Sequence, residues 1–373
     1  VRNNPMSGIA LPAWLGLLWR WGSEVDYGRY WLRVLFLSFM ACLNMALGLL
    51  DSLLFAATIA HAKLHPRPVF VLGHPRTGTT MLHNLLSLDD GQFYFCTTFQ
   101  AGFPSGFASL NSYSWLFAGL VDQKRPMDNM KLSLDLPQED ELATNVLSGG
   151  RSQYMSIFLP RLESKEFRNF VNFEDADPED LKQWEISFRY LLKKLSAVND
   201  GGSGRRRILL KSPVHTGRVK LLLQLFPKAQ FVYIHRNPFR VYQSMVNMAN
   251  KAFPFMYLHR PTNKEIHEYI LSQFVQLHSL YVRDRRLIPK GNLVEIAYDD
   301  LAKSPVKTIE SIYKSLSWDG FEKMRSKFEE YFDNRKAYKK NQFSPLSHRD
   351  KILVAERWKE AFLEFNYSID EKQ

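Results

Sequence analysis

The sequence predicts an α/β fold: a central parallel sheet flanked by helices, with a hydrophobic helical extension at its N-terminal end. Three observations carry that expectation. Short apolar, β-branched runs alternate with amphipathic stretches of helical length, the pattern of a parallel sheet covered on both faces. The first such run ends in a glycine-bracketed turn that opens directly onto a helical stretch. Ahead of it, Val34 to Ala60 is apolar almost without interruption.

Residues 1–65 form the extension and 66–373 the main domain. In the latter, 68–73 (PVFVLG) reads as a buried strand closed by glycine. Residues 78–88 follow as a helix with Met81, Leu82, Leu85 and Leu86 on one face. A second short strand is expected at 93–96. Residues 97–137, rich in Phe, Ser, Gly and Pro, have no clear period and are expected as loops and short helices lining a pocket. Helices are expected over 139–147 and 179–198, and 199–204 (NDGGSG) is a surface loop. Then come a strand at 207–210, a helix at 214–226, a strand at 231–234, helices at 238–250 and 263–286, and a last strand at 293–296. From Asp300 onward the chain is mostly helical and basic.

Bulk properties narrow the function classes. Of 373 residues, 45% are hydrophobic, so a sizeable core forms and wholesale disorder is excluded. The net charge of +11 suits an anionic partner such as a nucleotide, a membrane surface or an acidic polymer. Basic and aromatic residues do not interleave as they do where single strands stack, so no nucleic acid is expected. The two cysteines, Cys42 and Cys96, form neither a disulfide framework nor a zinc site, and favour a reducing compartment.

The apolar run is long enough to cross a bilayer as a helix. Asn44 and Asp51 interrupt it, however, and an unpaired carboxylate in hydrocarbon is costly. Trp14, Trp19, Trp21 and Trp31, with Arg20 and Arg33, precede it and suit a headgroup region. Three placements stay open: a span, an interfacial helix, or a helix packed on the domain or in an oligomer interface. Membrane association is expected, on the cytoplasmic side rather than in the Golgi lumen.

The sharpest local signal is Gly73-His74-Pro75-Arg76-Thr77-Gly78-Thr79-Thr80. Between a strand and a helix, it has the form of a P-loop: glycines permit the tight turn, and N–H groups at the helix start surround an anion. Its Gly-x4-Gly spacing matches a Walker A loop, in which a lysine comes next and reaches the β- and γ-phosphates. Here that residue is Thr79, and the cation, Arg76, lies inside the loop. A nucleotide without a γ-phosphate needs no such lysine, so a P-loop kinase or NTPase is the weaker alternative. No Walker B aspartate ends a later apolar strand. The strand at 231–234 runs into His235 and Arg236, which suits a second anion better than Mg²⁺, and no metal is expected. The fold class is therefore a P-loop nucleotide-binding fold.

These blocks together resemble the P-loop sulfotransferases that use 3′-phosphoadenosine 5′-phosphosulfate (PAPS), with a Pro-Arg-Thr-Gly-Thr-Thr loop distantly like that of the tyrosylprotein enzymes. The resemblance runs from about Pro66 to Tyr313. Residues 73–80 are similar to the family's 5′-phosphosulfate loop, and 209–219 (LLKSPVHTGRV) to a block with a Lys-Ser/Asp-Pro core. Residues 226–248 resemble the 3′-phosphate block, where an arginine ends a strand and a serine follows on the next helix, here Arg236 and Ser244. Residues 136–141 (LPQEDE) and 298–301 (YDDL) resemble two further family features. Three blocks in the right order are far more specific than any one of them.

The resemblance implies that 66–373 is a sulfotransferase domain holding PAPS through His74, Pro75, Arg76, Thr77, Gly78, Thr79, Thr80, Arg236 and Ser244. The sulfuryl group would pass to a hydroxyl of a lipid-like or sterol-like alcohol or a glycan, releasing 3′,5′-adenosine bisphosphate. Such transfer, like phosphoryl transfer, demands in-line attack and stabilisation of charge on the leaving oxygen. Arg76, Lys211 and the loop N–H groups are expected to supply that stabilisation, with Thr79 and Thr80 as hydroxyl donors. Arg240, one helical turn from Ser244, is either a further cation of the site or a solvated helix charge.

A base must take the acceptor proton. Related enzymes often use a glutamate soon after the loop, but the aligned residue is Gln100. Glu139, then Glu141, are the expected candidates, with His215 and His74 as alternatives. The same acidic block also reads as carboxylates decorating a helix N-terminus. Residues 253–257 (FPFMY) are expected as a lid or acceptor wall. The non-enzymatic alternative is a membrane-associated binding protein that keeps the fold without turnover.

Overall fold

The computed structural model describes residues 4–120, 127, 128, 130–334, 343 and 345–369. Two helices come first, α1 (Leu11–Trp21) and α2 (Tyr27–His61). The main domain alternates β1 (Val69–Leu72), α3 (Thr79–Leu86) and β2 (Phe93–Phe95) with α4 (Thr98–Gly102), α5 (Phe107–Leu110), α6 (Asp140–Leu147), α7 (Met155–Phe158) and α8 (Pro178–Asn199). It continues through β3 (Arg207–Lys211), α9 (Val219–Leu225), β4 (Gln230–His235), α10 (Pro238–Lys251), α11 (Asn263–Asp284) and β5 (Leu293–Ala297). Five further helices close the described chain: α12 (Tyr298–Lys303), α13 (Pro305–Ser315), α14 (Phe321–Asp333), α15 (His348–Arg357) and α16 (Lys359–Glu364).

The five strands form one parallel sheet in the order β2-β3-β1-β4-β5, as the alternation predicts. Central β1 pairs Val69 with Leu209 on one side and Gln230 on the other. All four of its residues are buried, which explains a run that is apolar rather than alternating. Chain connections leave β1 toward both edges, so the loops after β1, β3 and β4 gather at one end of the sheet. Ligand sites in open parallel sheets lie at this carboxyl end.

Two local expectations need correction. Residues 214–226 are not one helix: Pro213–Gly217 is a 3₁₀ turn, and α9 starts at Val219. The turn survives because its side chains are committed elsewhere, and a Cβ on Gly217 would lie 2.5 Å from Val171. The helix expected from Glu139 begins one residue later, with Glu139 at its N-cap. Of the stretch expected as loops and short helices, α4, α5 and a 3₁₀ segment at Asn111–Leu120 are observed. Residues 121–126 and 129 lie outside the described residues.

The extension is welded to the domain by polar contacts. Trp14, Leu37 and Ala41 belong to the same buried cluster as Phe70 and Leu72 of β1. Trp14 Nε1 donates to Ser38 Oγ at 2.8 Å, joining α1 to α2. Asn44 Nδ2 donates to the carbonyls of Ser7 and Ile9. Asp51, the residue that argued against a span, is fully buried and faces Lys194 of α8 at 2.7 Å, itself fully buried. The same carboxylate accepts from the N–H groups of Ala108 and Ser109, and Lys194 donates to the carbonyls of Pro104 and Ser105. Burial pulls the Lys194 ammonium below its ordinary pKa, and Asp51 only partly restores it. The pair fastens α2 to α5 and α8, and it works only when both charges are present.

Asp51→Ala should therefore lower the unfolding free energy by about 3–5 kcal/mol, because Lys194 is left buried without its carboxylate. Asp51→Leu combined with Lys194→Met should cost clearly less. Denaturant unfolding of the two variants compares them directly.

Candidate active site

The glycine-rich loop is held in a form that most sequences reject. Gly73 has φ +143°, and a Cβ there would lie 2.5 Å from the Ile234 carbonyl oxygen. Gly78 has φ +108°, and a Cβ would lie 2.5 Å from the Tyr298 ring. Arg76 itself sits in the left-handed region at φ +75°, which costs free energy for a residue with a Cβ. The surroundings hold it there. Arg76 Nε donates to Ser244 Oγ at 2.9 Å, Nη1 pairs with Asp128 at 2.9 Å, and its carbonyl accepts from Arg236 Nη1 at 3.2 Å. Thr216 Oγ1 accepts from the Gly73 N–H at 2.8 Å.

The residues of the first and third sequence blocks are thus brought together: Arg76 and Ser244 touch, and Arg236 reaches the loop backbone. Arg236 also lies over the Tyr298 ring, 4.2 Å from its centroid. Burial pulls its guanidinium below the ordinary value. Thr79 and Thr80 open α3 beside the loop and line the adjoining cavity with Pro75.

The acidic block divides its three carboxylates among three tasks. Glu139 faces the cavity, where its Oε1 accepts from Lys211 Nζ at 2.7 Å and its Oε2 from the Tyr154 hydroxyl at 2.6 Å. Lys211 Nζ is also 3.5 Å from Thr80 Oγ1. Asp140 points the other way, beneath the strand ends. It accepts from the Lys211 N–H at 3.2 Å and from Ser212 Oγ at 3.1 Å, and it lies 2.6 Å from His215 Nε2. Glu141 pairs with Arg218 at 2.8 Å and also accepts from Ser152 and Trp184.

This geometry separates the candidate bases. The Glu139 side chain is partly exposed (21%) and lines the cavity, whereas Glu141, Arg218 and His215 are fully buried behind it. Glu141 and His215 are placed as structural partners, out of reach of an acceptor. The His74 ring turns inward against Phe274, 4.8 Å between centroids. Burial drives its pKa down to about 3, so it is a neutral imidazole that neither binds an anion as a cation nor takes a proton near neutrality. Asp140, Glu141 and His215 present oxygen and nitrogen atoms close together, but Ser212 and Arg218 already hold those carboxylates. Gln100 lies away from the cavity: it closes a capping box with Thr97 and donates to Asn111 and Asn199.

The cavity measures about 230 Å³. Arg76, Thr80 and Glu139 line its polar part, and Met245, Met248, Phe253, Phe255, Met256 and Ile157 are among its apolar lining. The expected wall at 253–257 is there. Tyr154, Asp128 and Thr216 were not singled out by sequence. Each acts through a contact with a distant segment, and no local pattern announces it. Such a cavity can hold a mainly apolar molecule with one polar group presented to a cation, a carboxylate and a phosphate-binding loop.

Comparison with known proteins gives a consistent picture. Residues 68–323 match the family model described as "Sulfotransferase family". The chain is 30% identical over 360 residues to the omega-hydroxy-beta-dihydromenaquinone-9 sulfotransferase Stf3 of Mycobacterium bovis, covering 96% of this chain and 90% of that one. The protein of the same name from Mycobacterium tuberculosis matches equally. Among solved structures, sulfotransferase STF1 of Mycobacterium tuberculosis superposes with TM-score 0.66 at 16% identity, covering 93% of this chain and 91% of that one. STF9 of Mycobacterium avium gives TM-score 0.66 at 17% identity, covering 87% and 83%. These two likenesses concern the fold.

Burial alone would raise the pKa of Asp140, but His215 and Ser212 more than offset it and hold the carboxyl below its ordinary value. A carboxyl depressed in the folded state stabilises the fold above its unfolded pKa, about 3.9. That contribution is lost as pH falls through the folded value. Asp140→Asn should therefore flatten the acid limb of the stability curve below about pH 5, read as urea midpoint against pH.

Proposed function

The chain belongs to the sulfotransferase family and is a sulfotransferase; from that premise we propose that it transfers a sulfuryl group from PAPS to the hydroxyl of a lipid-like alcohol. The observation that carries this reading is the cavity itself. Its reacting groups, Arg76, Thr80 and Glu139, stand against a wall of Met and Phe side chains. The relative that shares 30% identity is named for an omega-hydroxylated menaquinone derivative, an acceptor of the same chemical kind. A glycan would find few hydrogen-bonding groups along such a wall.

The loop at 73–80 cradles the 5′-phosphosulfate, with backbone N–H groups at the start of α3 and the Thr79 and Thr80 hydroxyls as donors. Arg236 and Ser244 clamp the 3′-phosphate, which relieves the unfavourable burial of the Arg236 guanidinium. Arg76 bridges the two, and an incoming anion competes with Asp128 for its Nη1.

In the reaction, the acceptor oxygen attacks sulfur and forms the new O–S bond as the bond from sulfur to the bridging phosphate oxygen breaks. The electron pair stays on that oxygen, beside Lys211 and Arg76, and 3′,5′-adenosine bisphosphate leaves. Glu139 takes the acceptor proton. Its two oxygens are held by Lys211 and Tyr154, so the base is fixed in position before the acceptor arrives. The protein works at a membrane, where such alcohols reside.

Calorimetry should show binding of 3′,5′-adenosine bisphosphate that needs no Mg²⁺ and weakens about tenfold or more in Arg236→Ala. A preference for Mg·ATP would overturn the donor assignment. Glu139→Gln should cut kcat by about 10²–10⁴-fold while nucleotide affinity holds. Full turnover by that variant would remove Glu139 as base and leave the donor assignment standing.

A further inference from the structure

Helix α2 has two faces of opposite character. Its inward face carries Ser38 and Asn44, bonded to the N-terminal segment through Trp14, Ser7 and Ile9, and Asp51, bonded to the domain through Lys194, Ala108 and Ser109. Moving α2 into a bilayer as a span would pull Asp51 from these partners and strip Lys194 of its carboxylate. The outward face is mainly apolar, with Ser52, Thr58 and the terminal His61 as its exposed polar residues. Leu32 is 61% exposed, Leu35 61%, Phe39 68%, Leu50 41%, Leu53 84% and Leu54 61%. No exposed residue between Arg29 and Lys63 carries a formal charge. Trp31 is exposed on α2 itself, and Trp19 on α1 (93%) and Trp115 and Leu116 on the 3₁₀ segment that follows α5 are exposed as well. Exposed apolar surface of this extent, rimmed by polar residues, marks an interaction site.

We propose that this face is a docking surface for a lipid bilayer, with α2 lying in the interfacial plane so that the acceptor reaches the cavity from the bilayer side. Three observations choose that occupant. Cations stand at both ends of the stripe, Arg29 before it and Lys63 after it, both exposed, with exposed tryptophans alongside. That distribution matches a headgroup region and anionic lipid. The chain as a whole carries +11. The cavity is also bordered by segments that α2 holds in place. Pro5 and Phe255 line the cavity, and both belong to segments strapped to α2: Asn44 holds the carbonyls of Ser7 and Ile9, and Arg33 donates to those of Pro254 and Tyr257. A second copy is the poorer occupant. Antiparallel pairing of two such faces brings Arg29 toward the partner's Lys63, and parallel pairing brings like ends together, so cation meets cation either way. The route taken by the acceptor rests on the lipid-like reading above; the docking itself does not.

The test is co-sedimentation of the intact protein with phosphatidylcholine–phosphatidylserine vesicles, together with quenching of tryptophan fluorescence by brominated lipid. The wild-type protein should bind and be quenched. Phe39→Glu combined with Leu53→Glu should weaken vesicle binding about tenfold or more. Leu363→Glu, an equally exposed position on α16, should not. Affinity for 3′,5′-adenosine bisphosphate reports that each variant is folded. Wild-type protein that stays in the supernatant overturns the proposal, as does binding indifferent to the double substitution. So does a soluble dimer that the double substitution dissociates. If vesicles bind but no lipid alcohol is sulfated, the docking surface stands and the acceptor class falls.

Discussion

The site depends on a reciprocal pairing between two short segments, residues 139–141 and 211–218. Lys211 meets Glu139, Ser212 and His215 meet Asp140, and Arg218 meets Glu141. All of these groups but Glu139 are buried, where an unpaired charge would cost several kcal/mol, so no member can be withdrawn without penalty to the rest. The pairing fixes the start of α6 against the end of β3. Only then does Glu139 face the cavity, within reach of Lys211 and Thr80. Thr216, from the same segment, reaches across to the Gly73 N–H and joins the glycine-rich loop to this framework. The strand ends give the site its floor, and the paired charges decide which carboxylate faces the cavity.

Much of this was legible in the sequence because it is encoded locally. The Gly-x4-Gly turn between an apolar strand and a helix needs only nearest neighbours to be recognised, and the strands at β1, β3, β4 and β5 are short β-branched or apolar runs. The convergence of Arg76, Arg236 and Ser244 was what the family resemblance of three blocks, each at a strand end, implied. Which acidic residue faces the cavity was not legible. Successive residues at a helix start point in different directions, and their choice is set by partners on β3 and in the 3₁₀ turn after it. Tyr154 was hidden for the same reason: its meaning lies in a 2.6 Å contact with Glu139, while its neighbours in sequence form only a short helix. Asp51 argued against a span in the sequence, but its counter-charge, Lys194, comes from a segment far along the chain that no local pattern reveals.

The N-terminal extension shows how hydrophobicity alone misleads about placement. Length and composition fit a membrane span, yet one side of α2 is committed to the domain through hydrogen bonds and an ion pair. On the docking proposed above, a helix with one polar, partnered side and one mainly apolar, open side lies along a boundary rather than across it. That arrangement also gives the acceptor cavity one of its borders, since Pro5 and Phe255 are held in place by contacts with α2.

The surface turn at 199–204 divides the chemistry of the protein into two halves. The glycine-rich loop at 73–80 and the carboxylates at 139–141 precede it; Lys211, Thr216, Arg236 and Ser244 all follow it. Glu139 and Lys211 are 72 positions apart, and Gly73 and Thr216 are 143 apart. Contacts of such long range form late, because loop closure must be accomplished before they return any stability. During synthesis the first half emerges with its glycine-rich loop lacking the segment that braces it. A chain that stops at the turn therefore carries the loop and the carboxylates without Lys211, Thr216, Arg236 or Ser244, the residues they pair with.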